Sequence, residues 1–281
     1  MADAFAEELI TFWFGAAAGW DRATAPVPDA VDARWWNGGE ELDLLLTEKY
    51  APHLLAAAQL FEAEKARALE VDEGRTDAQR RLLNAEAEYT ARAVPLPQLE
   101  GDESGGSAAA SAAAIVRDLA LPFLQFEEGQ PADIDTVRRR LALVILLDQF
   151  SRNVYRNTPQ AFAFDRYSGP LVTQLISEAA ALGCRASLIS GADRLAVFER
   201  FFLLMPLEHS EIPAEQDLGV QLNRGLLDEV SPVNASYGGP EDVKEDGTVE
   251  YFEDTLRNKS ARAELIRIYG RYPPRNEVLW V

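Results

Sequence analysis

The chain has 281 residues, enough for one or two domains, and 47% of them are apolar, enough for a substantial core. Lys and Arg number 27 against 46 Asp and Glu, a net charge of −19, which argues against general nucleic-acid binding and against adsorption to anionic membranes. A lone cysteine, Cys184, excludes an internal disulfide and a cysteine-based zinc site, and two histidines, His53 and His209, argue against a multi-histidine metal centre.

The opening MADAFAEELITFWFG has no basic leader, and no run reaches the about 18 apolar residues of a membrane span. The expected compartment is the cytoplasm, with no membrane partner. Residues 3–14 read as a helix, because Phe5, Leu9, Phe12 and Trp13 fall on one face. Gly15 and Gly19 end it, and residues 20–40, with Pro26, Pro28 and Gly38-Gly39, form a loop around Trp35-Trp36. Glu41 to Glu70 is a long helical pattern carrying Leu44, Leu45, Leu54, Leu55 and Phe61, with Pro52 either starting a new helix or kinking this one. Residues 76–93 are again helical, with a weak stripe of Leu82, Leu83 and Tyr89. The stretch 94–114, which includes GDESGGSAAASAAA, reads as a flexible surface segment of low complexity.

Order returns near Ile115. Residues 134–150 carry the strongest helical signal, apolar all round and therefore buried all round. A helix over 168–183 stops at Gly183, and one over 192–205 is rich in Phe and ends or kinks at Pro206. Pro213 opens the next helix, which runs to about Leu222 and stops near Gly225. Residues 229–248 form a polar loop, 249–269 a final helix, and Gly270 with Pro273-Pro274 breaks the chain after it. No stretch alternates as a strand flanked by hairpin turns, so the fold class is all-α, with short links suggesting stacked helix pairs. No clean 34-residue repeat is present.

The charge is uneven. Residues 136–166 carry a net +4 and residues 256–275 a net +5, leaving −28 on the remainder. These basic islands either pair with acids elsewhere on the fold or converge on an anionic ligand, whose carboxylate or phosphate oxygens suit guanidinium forks. Within the first island, Asp148 lies in register with the apolar stripe and so needs a partner, and Arg152 stands at i+4. Gln149, Asn153, Tyr155 and Arg156 make this stretch more polar than one structural ion pair requires. A second candidate is Glu208-His209 after the proline break, where His209 could act as acid or base near neutral pH. Asp148, Glu208 and His209 lack the i,i+4 spacing of a helical metal site, so neither metal nor cofactor is expected. A third is the C-terminal Tyr269-Gly270-Arg271-Tyr272-Pro273-Pro274-Arg275-Asn276, from which Arg271, Arg275 and Asn276 could close over a pocket.

The strings LALVILLDQFSRNVYRNTPQAFAFD, FERFFLLMPLEHSE with Gln216, and IYGRYPPRN, together with ITFWFG and Trp35-Trp36, resemble the uncharacterised bacterial family called domain of unknown function 924. The resemblance implies an all-helical, tetratricopeptide-like array of antiparallel helix pairs and no established reaction. It also implies one helical domain over 1–281, with an insertion at 59–112 and further added length in the polar loop at 229–248. The chain departs from the family pattern at Ser151, where a proline is usual, and at Pro274 and Arg262, where histidines are usual.

The residues leave two classes of function open. One is a polar pocket of Asp148, Arg152, Tyr155, Arg156, Glu208, His209, Arg271 and Arg275 that binds an anionic small molecule or a peptide carboxylate, with or without acid–base catalysis by His209 and Glu208. The other is a scaffold whose helical groove holds a protein partner. Convergence on a closed cavity favours the first, and spread along an open groove the second.

Overall fold

A computed structural model describes residues 1–14, 39–70, 79–80, 83, 94–97, 106–124, 134–181, 195–231 and 248–279. Among these residues the chain is helical throughout, with no strand. The helices are α1 (Ala2–Phe14), α2 (Gly39–Glu70), α3 (Gly106–Leu124), α4 (Ile134–Val144), a π-helical turn (Ile145–Phe150), α5 (Ser151–Val154), α6 (Asp165–Ala181), α7 (Val197–His209), α8 (Pro213–Val230), α9 (Thr248–Tyr269) and α10 (Asn276–Leu279). Short 3₁₀ turns cover Pro159–Phe162 and Pro273–Arg275. The Trp35-Trp36 loop, most of the 76–93 helix, Gly183 and most of the 229–248 loop lie outside the described residues.

Several boundaries differ from expectation for identifiable reasons. Pro52 neither starts nor ends a helix, since α2 continues through it. The buried side of α2 is Leu46, Tyr50, Leu54 and Phe61, whereas Leu44 and Leu45 are exposed. The low-complexity stretch is not flexible in its second half, because α3 begins at Gly106. Alanine is the strongest helix former, and this run leads into a face where Ala112, Val116, Leu119, Ala120 and Phe123 are buried at helical spacing. Pro206 does not end α7, which continues to His209, and Gly225 does not end α8, which runs to Val230. Nothing lies near the position a Cβ would occupy at Gly225, whereas one at Gly219 would come within 3.1 Å of Leu207 Cβ, marking the close approach of α8 to α7. Gly270 does terminate α9, adopting φ +68°, a conformation glycine takes without steric cost.

The π turn sits at the centre of the packing. Every residue from Leu141 to Ser151 is buried, and the turn contacts α2, α6 and α7. Its Phe150 ring stacks at 4.4 Å from Tyr50 and 5.5 Å from Trp13, and Trp13 in turn meets Phe202 of α7 at 5.2 Å. This aromatic core fixes the turn against α7. On the other side α9 packs on α8 and α7, which brings the second basic island toward the first.

Candidate functional site

The expected continuous helix over 134–150 is instead α4 followed by the π turn, in which hydrogen bonds span five residues rather than four. The carbonyls of this widened turn are met by side chains four residues further on. Ser151 Oγ donates to Leu147 O at 2.6 Å, Arg152 Nη1 to Asp148 O at 2.5 Å, and Asn153 Nδ2 to Gln149 O at 3.3 Å. Much of the polarity after Leu147 thus stabilises the turn itself. π turns recur at functional sites, and here the turn holds Asp148, which is fully buried.

The Asp148 carboxylate is closely supported. Gln149 Nε2 donates to Oδ2 at 2.5 Å, and Arg152 Nη1 lies 3.3 Å from Oδ1. His209 Nδ1, at the end of α7, lies 2.9 Å from both carboxylate oxygens. Burial raises the Asp148 pKa above its ordinary value, against the pull of Arg152 and Gln149. Burial, reinforced by the Arg152 and Arg262 charges, drives His209 well below its usual value near 6.5, so its ring is neutral at pH 7. A neutral imidazole facing a carboxylate through Nδ1 carries its proton there. The lone pair is left on Nε2.

His209 borders a cavity of about 400 Å³. Arg152, Arg262, Arg275 and Glu208 form its polar wall with His209, and Phe201, Met205, Tyr251 and Val278 contribute apolar surface. Arg152 is held by Asp148 and by Asp165, whose Oδ1 lies 2.8 Å from Nη2. Arg275 Nη1 lies 3.2 Å from Asp165 Oδ2, and its Nη2 donates to the His209 carbonyl at 2.7 Å. Both guanidiniums also lie over the Phe162 ring, at 5.7 and 4.7 Å. Lys259 of α9 is buried and reaches Glu208 Oε2 at 2.8 Å. Burial works to raise the Glu208 carboxyl, but Lys259, Arg262 and His209 outweigh it and hold it below the ordinary range.

Of the residues expected at the site, Asp148, Arg152, Glu208, His209 and Arg275 are brought together. Gln149 supports Asp148 from behind. Arg156 is taken up by Asp43 of α2 at 2.5 and 2.9 Å and by Asn153, so neither Arg156 nor Asn153 lies on the cavity wall. Tyr155 is half-buried away from the wall, where burial pushes its hydroxyl up to about 12. Arg271 and Asn276 flank the C-terminal turn without lining the cavity. Sequence reasoning missed Asp165, Lys259 and Arg262, and also Thr255 and Asn258, which line the cavity from α9. Their signal was the 251, 255, 258, 262 spacing on the last helix, one face carrying Tyr, Thr, Asn and Arg. Both readings of the basic islands hold in part. Arg138, Arg139, Arg156 and Arg267 pair with Glu7, Asp3, Asp43 and Asp217, while Arg152, Arg262 and Arg275 converge.

Among the described residues no group of three or more His, Cys, Asp or Glu is placed to hold a metal ion. Residues 109–280 match a family model described as "Bacterial protein of unknown function (DUF924)", a match over more than half of the chain. No curated protein and no solved structure matches.

Proposed function

We propose, for a chain that belongs to the DUF924 family of bacterial proteins of unknown function, that the cavity binds a small anionic molecule. The observation that carries this reading is the charge on the wall. Arg152, Arg262 and Arg275 face one space, and among the described lining residues Glu208 alone brings a carboxylate. In a chain of net charge −19 this concentration of guanidinium does not follow from composition. A concave wall that mixes apolar surface with a few convergent polar groups suits a small molecule better than an extended protein partner. The same proposal takes the chain as one domain over 1–281 with an insertion at 59–112, stacked in tetratricopeptide-like fashion and resident in the cytoplasm. No described helix is long and apolar enough to cross a membrane.

A thermal-shift series with acetate, benzoate, inorganic phosphate and phenyl phosphate, beside acetamide and benzamide, tests the reading. A ligand at about 100 times its dissociation constant adds about 2.7 kcal/mol of stability, a readable shift. Anions should raise the melting temperature and the neutral amides should not. A series in which no anion does so removes the reading and favours a protein partner.

A second reading rests on the Asp148–His209 contact: acid–base catalysis on the bound anion, with His209 Nε2 taking the proton while Asp148 keeps Nδ1 protonated. Nitrogen NMR at pH 7 should find Nδ1 protonated and Nε2 bare. The sign of the pH effect follows from the lowered pKa. As pH falls below about 6.5 the unfolded chain takes up a proton that the folded His209 refuses, so stability declines. Asp148, with its raised pKa, works in the opposite direction at lower pH. His209→Gln, which can still donate to Asp148, should flatten the decline below pH 6.5. An unchanged slope, or a ring protonated at both nitrogens at pH 7, contradicts this account.

A further inference from the structure

We infer that Arg262 is the anchor of the cavity and that the ligand is a monocarboxylate with a flat apolar body. This rests on the anion-binding reading and narrows it. The argument begins with how each buried charge is already used. Arg152 gives one guanidinium nitrogen to Asp148 and the other to Asp165. Arg275 gives its two terminal nitrogens to Asp165 and to the His209 carbonyl. Lys259 is matched by Glu208. Among the described contacts, Arg262 has one hydrogen bond, from Nη1 to the Glu208 carbonyl at 3.3 Å, and its guanidinium lies over the Tyr272 ring at 4.3 Å.

Arg152, Arg275, Lys259 and Arg262 therefore meet Asp148, Asp165 and Glu208 with one positive charge left over, and that charge resides on Arg262. Its field reaches His209, Glu208 and Asp148, which puts it beside the bare Nε2 and not on a remote rim. A single surplus charge matches a carboxylate better than a phosphate dianion. Arginine presents its remaining donors as a planar fork suited to two carboxylate oxygens, and stacking on Tyr272 restricts the plane of that fork. The rest of the ligand is dictated by the other wall. Phe201, Met205, Tyr251 and Val278 offer no charge, so a charged or heavily hydroxylated body would lose water there without replacing its hydrogen bonds. A flat hydrocarbon body would gain by burial instead. The cavity, at about 400 Å³, has room for such a molecule.

Isothermal titration calorimetry on the whole chain separates this inference from the broader reading. The probes are 3-phenylpropionate, acetate, 3-phenylpropionamide and phenyl phosphate. 3-Phenylpropionate should bind at least tenfold tighter than acetate and than phenyl phosphate, and the amide should not bind. Arg262→Gln should weaken 3-phenylpropionate at least tenfold with an unchanged melting temperature, and Arg262→Lys should restore part of the loss. Equal binding of acetate and 3-phenylpropionate overturns the apolar body. Tighter binding of phenyl phosphate overturns the monocarboxylate. Unchanged binding by Arg262→Gln overturns the anchor. Each of those three results leaves the anion reading standing, whereas failure of every anion to bind defeats both.

Discussion

Arg152→Ala should lower the stability of the chain by roughly 3–5 kcal/mol, the usual cost of removing one partner of a buried ion pair. Two carboxylates depend on this guanidinium. Asp148 is fully buried and Asp165 nearly so, and neither can turn to water when the cation is lost. Asp148 would keep the Gln149 amide and His209 Nδ1 as donors. Asp165 would keep Arg275, at 3.2 Å. The carbonyl of Asp148 would also lose a donor inside the π turn. Urea denaturation monitored by circular dichroism gives the difference directly, at unchanged slope if the unfolded state is unaffected. A loss below about 1 kcal/mol would mean that the pair contributes no more than an exposed one. Because Arg152 is this heavily engaged, its removal is a poor probe of ligand binding, and Arg262 is the better one.

Lys259→Ala should have a comparable effect, again roughly 3–5 kcal/mol, for a distinct reason. Lys259 is buried inside α9 with its ammonium against Glu208 at 2.8 Å and 4.5 Å from the centre of the Phe201 ring. Its loss strands the Glu208 carboxylate and leaves a void where the aliphatic stem packed. The paired change Glu208→Gln with Lys259→Met removes both charges while keeping volume, and should recover more than half of the loss. Comparing the melting curves of the three variants decides the point. If the double variant is as unstable as Lys259→Ala, the cost lies in packing and not in charge.

The helical class and the position of Asp148 were legible because they follow from local pattern. A carboxylate set in an apolar stripe has to be buried, and one with arginine at i+4 has a partner within reach. The aspartate–histidine contact was only half legible. Both residues stood out, 61 positions apart, but their meeting depends on how the Phe150, Trp13 and Phe202 rings seat α7 against the π turn. The π turn left no trace in periodicity, since a segment apolar on every side looks the same with either hydrogen-bond register. Lys259 and Arg262 stand on a helix whose charge pattern reads as solvated. Only its packing against α7 and α8 shows which of its cations are inside. The end of α7 illustrates the opposite error. Pro206 lacks an N–H and argues for a stop, yet its carbonyl accepts Ser210 N–H at 2.9 Å, and the last turn closes with His209 in place.

The π turn also determines which changes this protein can tolerate through descent. Each residue advances an α-helix by roughly 100°, so removing any one position from Ile145–Phe150 would let the segment relax into ordinary α-helix and swing everything after it about the axis. Arg152 would leave Asp165, Ser151 would leave the Leu147 carbonyl, and Arg156 would leave Asp43 together, although no side chain had been altered. Conservative apolar exchanges within the same six residues would disturb none of those pairings. Selection at this point therefore acts on the number of residues more strictly than on their identity, and alignments of related chains should show substitutions but no gaps there.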